Sequence, residues 1–191
     1  MMRAIVAVTL LAAGCGSTPA SRFYTLSASA SPPPTATASN LSVAVGPVVV
    51  PTAVDRPQIV VTVSGNQVRL DEFNRWASPL ASNIARVVAE NLAGLLETPR
   101  VTVWLQTVSA VPIDYRTAIE VQRFESAPGE MATLDAVWVV SRDADGRSRT
   151  GRTTARETVS DASYDALAAA HSRAVARLSR DIADAVRALR Q

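Results

Sequence analysis

Cysteine occurs once in this chain of 191 residues, histidine once and lysine not at all, and aromatic residues make up 5%. Each scarcity closes something off. A single thiol closes no intramolecular disulfide and builds no thiolate metal site. The one histidine, His171, falls on the apolar stripe of a predicted helix, with no G-x-S-x-G or comparable nucleophile motif to serve, so it reads as a packed structural residue. There is no glycine-rich phosphate loop. All 19 basic residues are arginine, set against 17 acidic ones, and the formal net charge of +2 does not call for nucleic acid. Asp143-x-Asp145-Gly146 begins like a calcium loop, but the third acidic position and the closing Glu are missing, and a hairpin turn explains it better. The expectation is a protein that is not an enzyme, with no catalytic residues, no cofactor and no metal.

What is present starts at the N-terminus. Arg3 is followed by Ala4–Ala13 without a charge. That run is too short for a bilayer, which needs about 20 apolar residues, and it matches the h-region of a secretory signal. Ala12-Ala13-Gly14-Cys15 then has the form of a bacterial lipobox: small side chains fit a protease cleft at the membrane surface, and the thiol accepts a diacylglyceryl group. It departs from the usual pattern in having Ala12 three residues before the cysteine, with the aliphatic Leu11 one place further back. The alternative is an ordinary cleaved signal with an incidental cysteine. Residues 1–14 are thus expected to be a lipoprotein signal peptide and Cys15 the lipidated residue. Three acyl chains exceed what stable anchoring requires. Gly16, rather than Asp, after the cysteine favours the outer membrane.

Residues 15–40 read as a lipidated tether. Two stretches rich in Ser, Ala, Thr and Pro, 16–21 and 27–40, flank the island Arg22-Phe23-Tyr24-Thr25-Leu26. The aromatic, β-prone island is expected to dock as a short strand. From Cys15 it can lie no more than ~29 Å away at full extension, hence near the membrane surface.

Residues 41–191 read as one globular domain of ordinary size. Leu41–Val50 is a strand with a kink at Gly46-Pro47, and Gln58–Val63 turns through Ser64-Gly65-Asn66 into Gln67–Leu70. Ser78-Pro79 opens a helix, with Ser as N-cap and Pro first inside. Its stripe is Leu80, Ile84, Val87, Val88, Asn91, Leu92 and Leu95. Strands follow at Arg100–Val108, Tyr115–Phe124, Met131–Ser141 and Arg149–Val159. The last carries Arg149, Arg152 and Arg156 and reads as a solvated edge strand, with contact to anionic headgroups or an acidic partner as the other reading. A helix over Ser163–Leu189 closes the chain, striped by Tyr164, Leu167, His171, Val175, Leu178, Ile182, Val186 and Leu189. The fold class is therefore α/β: a single domain with a mixed sheet of about seven strands covered by two long amphipathic helices.

Four segments occur in order: Arg22-Phe23-Tyr24-Thr25-Leu26 after the cysteine, Val45-Gly46-Pro47-Val48, Asp55-Arg56-Pro57-Gln58-Ile59-Val60, and Arg75-Trp76-Ala77-Ser78-Pro79-Leu80. Together they make the chain similar to the auxiliary lipoproteins of ABC-type transport systems, the PqiC (YmbA-like) family. The resemblance implies a lipid-anchored protein on the periplasmic face of the outer membrane. It implies a non-catalytic role beside an MCE-domain periplasmic protein and an inner-membrane transport complex that move lipid between the membranes and support envelope integrity. It also implies a fold like TolB amino-terminal and anticodon-binding-like domains, and it leaves homo-oligomers open. The alternative function is a structural lipoprotein that plugs or chaperones an outer-membrane β-barrel. Candidate partner-interface residues are Phe23, Tyr24, Leu26, Asp55, Arg56, Pro57 and Trp76. Arg56 is expected to pair with Asp55 or a nearby carboxylate, and Trp76 either lids the helix start or faces a partner.

Overall fold

In the computed structural model, described for residues 19–29, 39–104 and 112–191, the apolar stripes of the two helices determine the layering. Helix α1 (Leu80–Leu95) and helix α2 (Tyr164–Arg190) lie against each other and cover one face of a sheet. Every residue of the predicted α2 stripe is buried except Tyr164, which is half-buried. Ala168, Ala170, Ala174, Ala183 and Ala185 widen that stripe, so one helix packs on both α1 and the sheet. Ser163 caps α2 by accepting a hydrogen bond from the Ala166 amide at 3.1 Å, and Arg187 and Arg190 in the last turn complement the helix dipole. At α1 the cap differs from expectation. Pro79, not Ser78, occupies the N-cap position, extended at φ −50°, ψ 134°, and its carbonyl accepts from the Asn83 amide at 3.0 Å. The helix begins one residue later than predicted because Pro79 takes the non-helical ψ that a cap requires.

The strands form two sheets rather than the single one expected. The five-stranded sheet runs β5 (Val101–Val103), β2 (Val43–Val49), β6 (Tyr115–Ala127), β7 (Met131–Arg142), β8 (Ser148–Thr158). β2 is parallel to both neighbours, and β6, β7 and β8 are linked by antiparallel hairpins. The register of β2 on β6 shifts between Val45 and Val48, where Gly46 sits at φ +130° and a Cβ would lie 3.2 Å from the Trp104 Cβ. That conformation is open only to glycine, which explains the kink read from Gly46-Pro47. The polar β8 is an edge strand. β5 ends at Val103, and the rest of the strand predicted to reach Val108 falls mostly outside the described residues.

The three-stranded sheet has the order β1 (Arg22–Tyr24), β4 (Gln67–Trp76), β3 (Gln58–Ser64). β3 and β4 are the antiparallel hairpin, and β4 continues six residues past its predicted end at Leu70. Its terminal part pairs in parallel with β1: Arg22 with Asn74, Phe23 with Arg75, Tyr24 with Trp76. Both sheets share one core, in which Ile59, Val61, Leu80, Ile84, Leu134 and Leu178 are buried together.

Candidate functional site

The segment after β1 lies over the two helices. Leu26 is fully buried in the common core. The Arg86 guanidinium donates to the Leu26 carbonyl at 2.6 Å, the Ser27 amide donates to Ser172 Oγ at 3.0 Å, and the Ser29 amide to Asn91 Oδ1 at 2.8 Å. The buried Asn91, already on the α1 stripe, the buried Ser172 of α2 and the half-buried Arg86 thus take up backbone groups of Leu26, Ser27 and Ser29.

Tyr24 is held from three sides. Its hydroxyl donates to Asn74 Oδ1 at 3.0 Å, the Asn74 side-chain amide donates to Asp71 Oδ1 at 3.0 Å, and Tyr164 Oη donates to Asp71 Oδ2 at 2.6 Å. The Tyr24 and Tyr164 rings lie 5.9 Å apart. Burial raises the Asp71 carboxyl, but hydrogen bonds from Tyr164 and from the Asn74 and Phe73 amides more than offset it and hold the pKa below the ordinary carboxylate value. Burial, then the hydrogen bond to Asp71, pushes the Tyr164 phenol up to about 12. Asp71, Asn74 and Tyr164 were not singled out by sequence, since Asp71 and Tyr164 stand 93 positions apart.

Trp76 ends β4 with its amide bonded to the Pro57 carbonyl at 2.7 Å. Its side chain is only 5% exposed and meets Phe124 and His171 edge-on, at 6.1 and 6.3 Å. It lids the core. His171 lies beneath it, fully buried and stacked on Phe124 at 3.9 Å. His171 Nε2 is 2.8 Å from Ser126 Oγ, and Nδ1 has no partner. Burial pushes this imidazole down to about 3, so it is neutral at ordinary pH. With Nδ1 unpartnered among the described residues and both side chains buried, the Ser126–His171 pair joins β6 to α2.

Where β4 passes into α1, the turn before β3 comes alongside. Asp55, Arg56, Pro57, Trp76, Ala77, Ser78 and Pro79 line a notch of about 420 Å³. Asp55 and Pro57 are exposed and Arg56 is half-buried. The expected ion pair of Arg56 with Asp55 is not formed. Arg56 has no salt bridge among the described residues, and its Nε is buried without a partner. The turn is closed by backbone: the Val54 and Asp55 amides donate to the Pro51 carbonyl at 3.0 and 3.1 Å. The notch is mostly apolar, with the half-buried Arg56 in its wall.

A larger, shallower groove of about 700 Å³ lies between Asp114 and Arg142. Three of its charged residues are engaged: Asp114 accepts from the Ser42 amide at 2.7 Å, Arg142 is 3.4 Å from Asp145, and Asp143 pairs with Arg116 at 2.9 Å. Among the described residues no group of His, Cys, Asp or Glu side chains is arranged to hold a metal ion.

Of the seven sequence candidates, Phe23, Asp55, Arg56 and Pro57 reach the surface, Tyr24 is half-buried, and Leu26 and Trp76 belong to the core. All but Leu26 gather at the end of the three-stranded sheet where Tyr24, Trp76 and Pro57 are hydrogen-bonded neighbours. Cys15 and Gly16 lie outside the described residues.

Two solved structures share this fold. A crystal structure of an uncharacterized protein aligns with a TM-score of 0.70 at 19% identity, covering 88% of this chain and 99% of that one. Protein XCC0632 from Xanthomonas campestris, of family DUF330, aligns with a TM-score of 0.61 at 21% identity, covering 84% and 92%. No curated protein matches the sequence. The model of the ABC-type transport auxiliary lipoprotein component matches residues 24–183, from the docked strand to the last turns of α2. This chain belongs to the ABC-type transport auxiliary lipoprotein family, whose members are membrane-anchored envelope proteins associated with ABC transport systems.

Proposed function

We propose that this protein is an outer-membrane lipoprotein, facing the periplasm, that serves as a non-catalytic auxiliary of an MCE-type ABC lipid transport system. The family match over residues 24–183 carries the reading. The Ala12–Cys15 lipobox and Gly16 support an outer-membrane anchor. The notch supports a partner-binding role: an apolar floor beside a guanidinium with no salt bridge among the described residues suits a protein segment that supplies a carboxylate. The MCE-domain protein is the partner assigned to it, with the inner-membrane complex beyond, and tethering strengthens such binding by ~100-fold or more without a new contact. The domain works as a fixed docking point rather than as a lipid carrier.

A photo-crosslinking residue placed at the exposed Pro57, beside Arg56, in intact cells tests this. The expected product joins the protein to an MCE-domain chain, and Arg56→Glu diminishes it while the domain stays folded. Cross-links to a β-barrel alone would establish the plug or chaperone role instead. Links to a second copy of this chain would assign the notch to self-assembly.

A further inference from the structure

The distal half of the β3–β4 hairpin stands clear of the core. Val61 is buried, but every residue from Val63 to Leu70 is exposed. A soluble hairpin tip is ordinarily polar, yet this one carries Val68 at 58%, Val63 at 53% and Leu70 at 39% exposure. Val68 and Leu70 share one face of β4, opposite Thr62 and Val60 of β3. Between them Arg69 points to the other face and forms no salt bridge among the described residues.

The direction of β1 says what this tip faces. Because β1 runs parallel to β4, with Arg22 beside Asn74, the chain enters β1 from the side of the hairpin tip. Along β4 the distance from Asn74 back to Gln67 is about 23 Å at the rise of a strand. The chain from Cys15 to Arg22 spans at most ~25 Å when fully extended. With the hairpin directed at the bilayer, a taut tether brings a lipidated Cys15 just level with the tip, and any slack draws the bilayer closer.

We propose that the tip of the β3–β4 hairpin, through Val63 and Val68, dips into the headgroup layer of the membrane that holds the lipid anchor, with Arg69, paired with Val61 at the base of the projecting stretch, meeting lipid phosphates. The stretch beyond Val61 projects about 10 Å, which matches the depth to which interfacial elements enter a bilayer, about 5–10 Å. A long cationic side chain beside apolar ones suits that boundary, because its stem lies in the apolar zone while its head stays hydrated. This placement points the notch, at the other end of the same strands, away from the membrane. The inference rests on the membrane anchor common to the family and not on which transport system is served.

Depth-dependent fluorescence on the full lipidated protein in vesicles of phosphatidylethanolamine and phosphatidylglycerol decides it. With Cys15 acylated, V68C and A77C each carry a single free thiol for an environment-sensitive dye. Ala77 is exposed just past Trp76, the last residue of β4, about 30 Å along the strand from Val68. The dye at position 68 is expected to be quenched several-fold more by headgroup-region spin-labelled lipid than the dye at position 77, and to be shielded from aqueous iodide. Equal lipid quenching at the two sites overturns the proposal. So does shielding from iodide that persists in detergent, which would make the tip a contact between copies of this chain. No partner protein is present in this measurement, so its failure is distinct from failure of the Arg56 cross-link.

Discussion

The two sheets differ in what their outer faces carry. On the five-stranded sheet ion pairs and apolar side chains share the face: the buried Asp135 carboxylate accepts from Arg152 Nε at 2.8 Å and Arg123 pairs with Glu125 at 2.7 Å, while Val49, Val137 and Val139 line an apolar groove. The hydrogen bond from Arg152 is the main force holding Asp135 below its ordinary pKa. The distal half of the three-stranded sheet has no ion pair among the described residues, and apolar side chains and Arg69 face outward there. A projecting hairpin with an apolar tip is exposed surface that folding left unburied, the mark of a contact surface.

The sharpest division falls where the two regions meet, at Trp76. Because it lids Phe124 and His171, Trp76→Ala should destabilise the whole domain by ~3–5 kcal/mol, read as a lower urea midpoint with the transition still cooperative. A loss under ~1 kcal/mol would mean that the small sheet merely leans on the large one.

The next effect belongs to the large region's core. His171 titrates at about 3 in the folded protein, against an ordinary value of 6.5 in the unfolded chain. The unfolded chain therefore takes up the proton first. Stability is full above ~6.5 and is lost as pH falls toward 3, by up to ~1.4 kcal/mol per pH unit. The depressed carboxylates Asp71 and Asp135 act only in the more acidic range, below their ordinary 3.8. Urea unfolding between pH 6.5 and 4.5 should show this slope in the wild type and lose most of it in His171→Gln. An unchanged slope in the variant would place the responsible proton elsewhere.

The smallest effect is expected at the hairpin tip. Val63→Ser and Val68→Ser together should change folding stability by less than ~0.5 kcal/mol in solution, since both side chains are more than half exposed. A larger loss would show that the tip belongs to the core after all.

Periodicity made the layers readable. The α2 stripe from Leu167 to Leu189 and the alternation of Tyr115–Phe124 each follow from one face meeting the core, so local pattern and tertiary role agree. The division into two sheets did not show. Asp71-Glu72-Phe73-Asn74-Arg75 has no alternation to mark a strand, because its partner is the three-residue β1 and a bulge offsets it from β3. Parallel pairing leaves no turn signature between Tyr24 and Trp76. The candidate site was legible as segments but not as side chains. Tyr24 and Trp76 turn inward on contacts separated by dozens of residues while Phe23 stays exposed, and Arg56 forms no salt bridge among the described residues although Asp55 is its neighbour.

The docked strand also has a mechanical meaning. Tension on the N-terminus acts along β1, which lies parallel to β4, and Leu26 sits behind it as a stop in the core. Such a pull loads the β1–β4 hydrogen bonds and the Leu26 socket together, in shear, instead of peeling them apart one at a time. The same pull is shared with α1 and α2, through Arg86 at Leu26 and Ser172 at Ser27. The tether is tied into the interior of the domain and not to its rim.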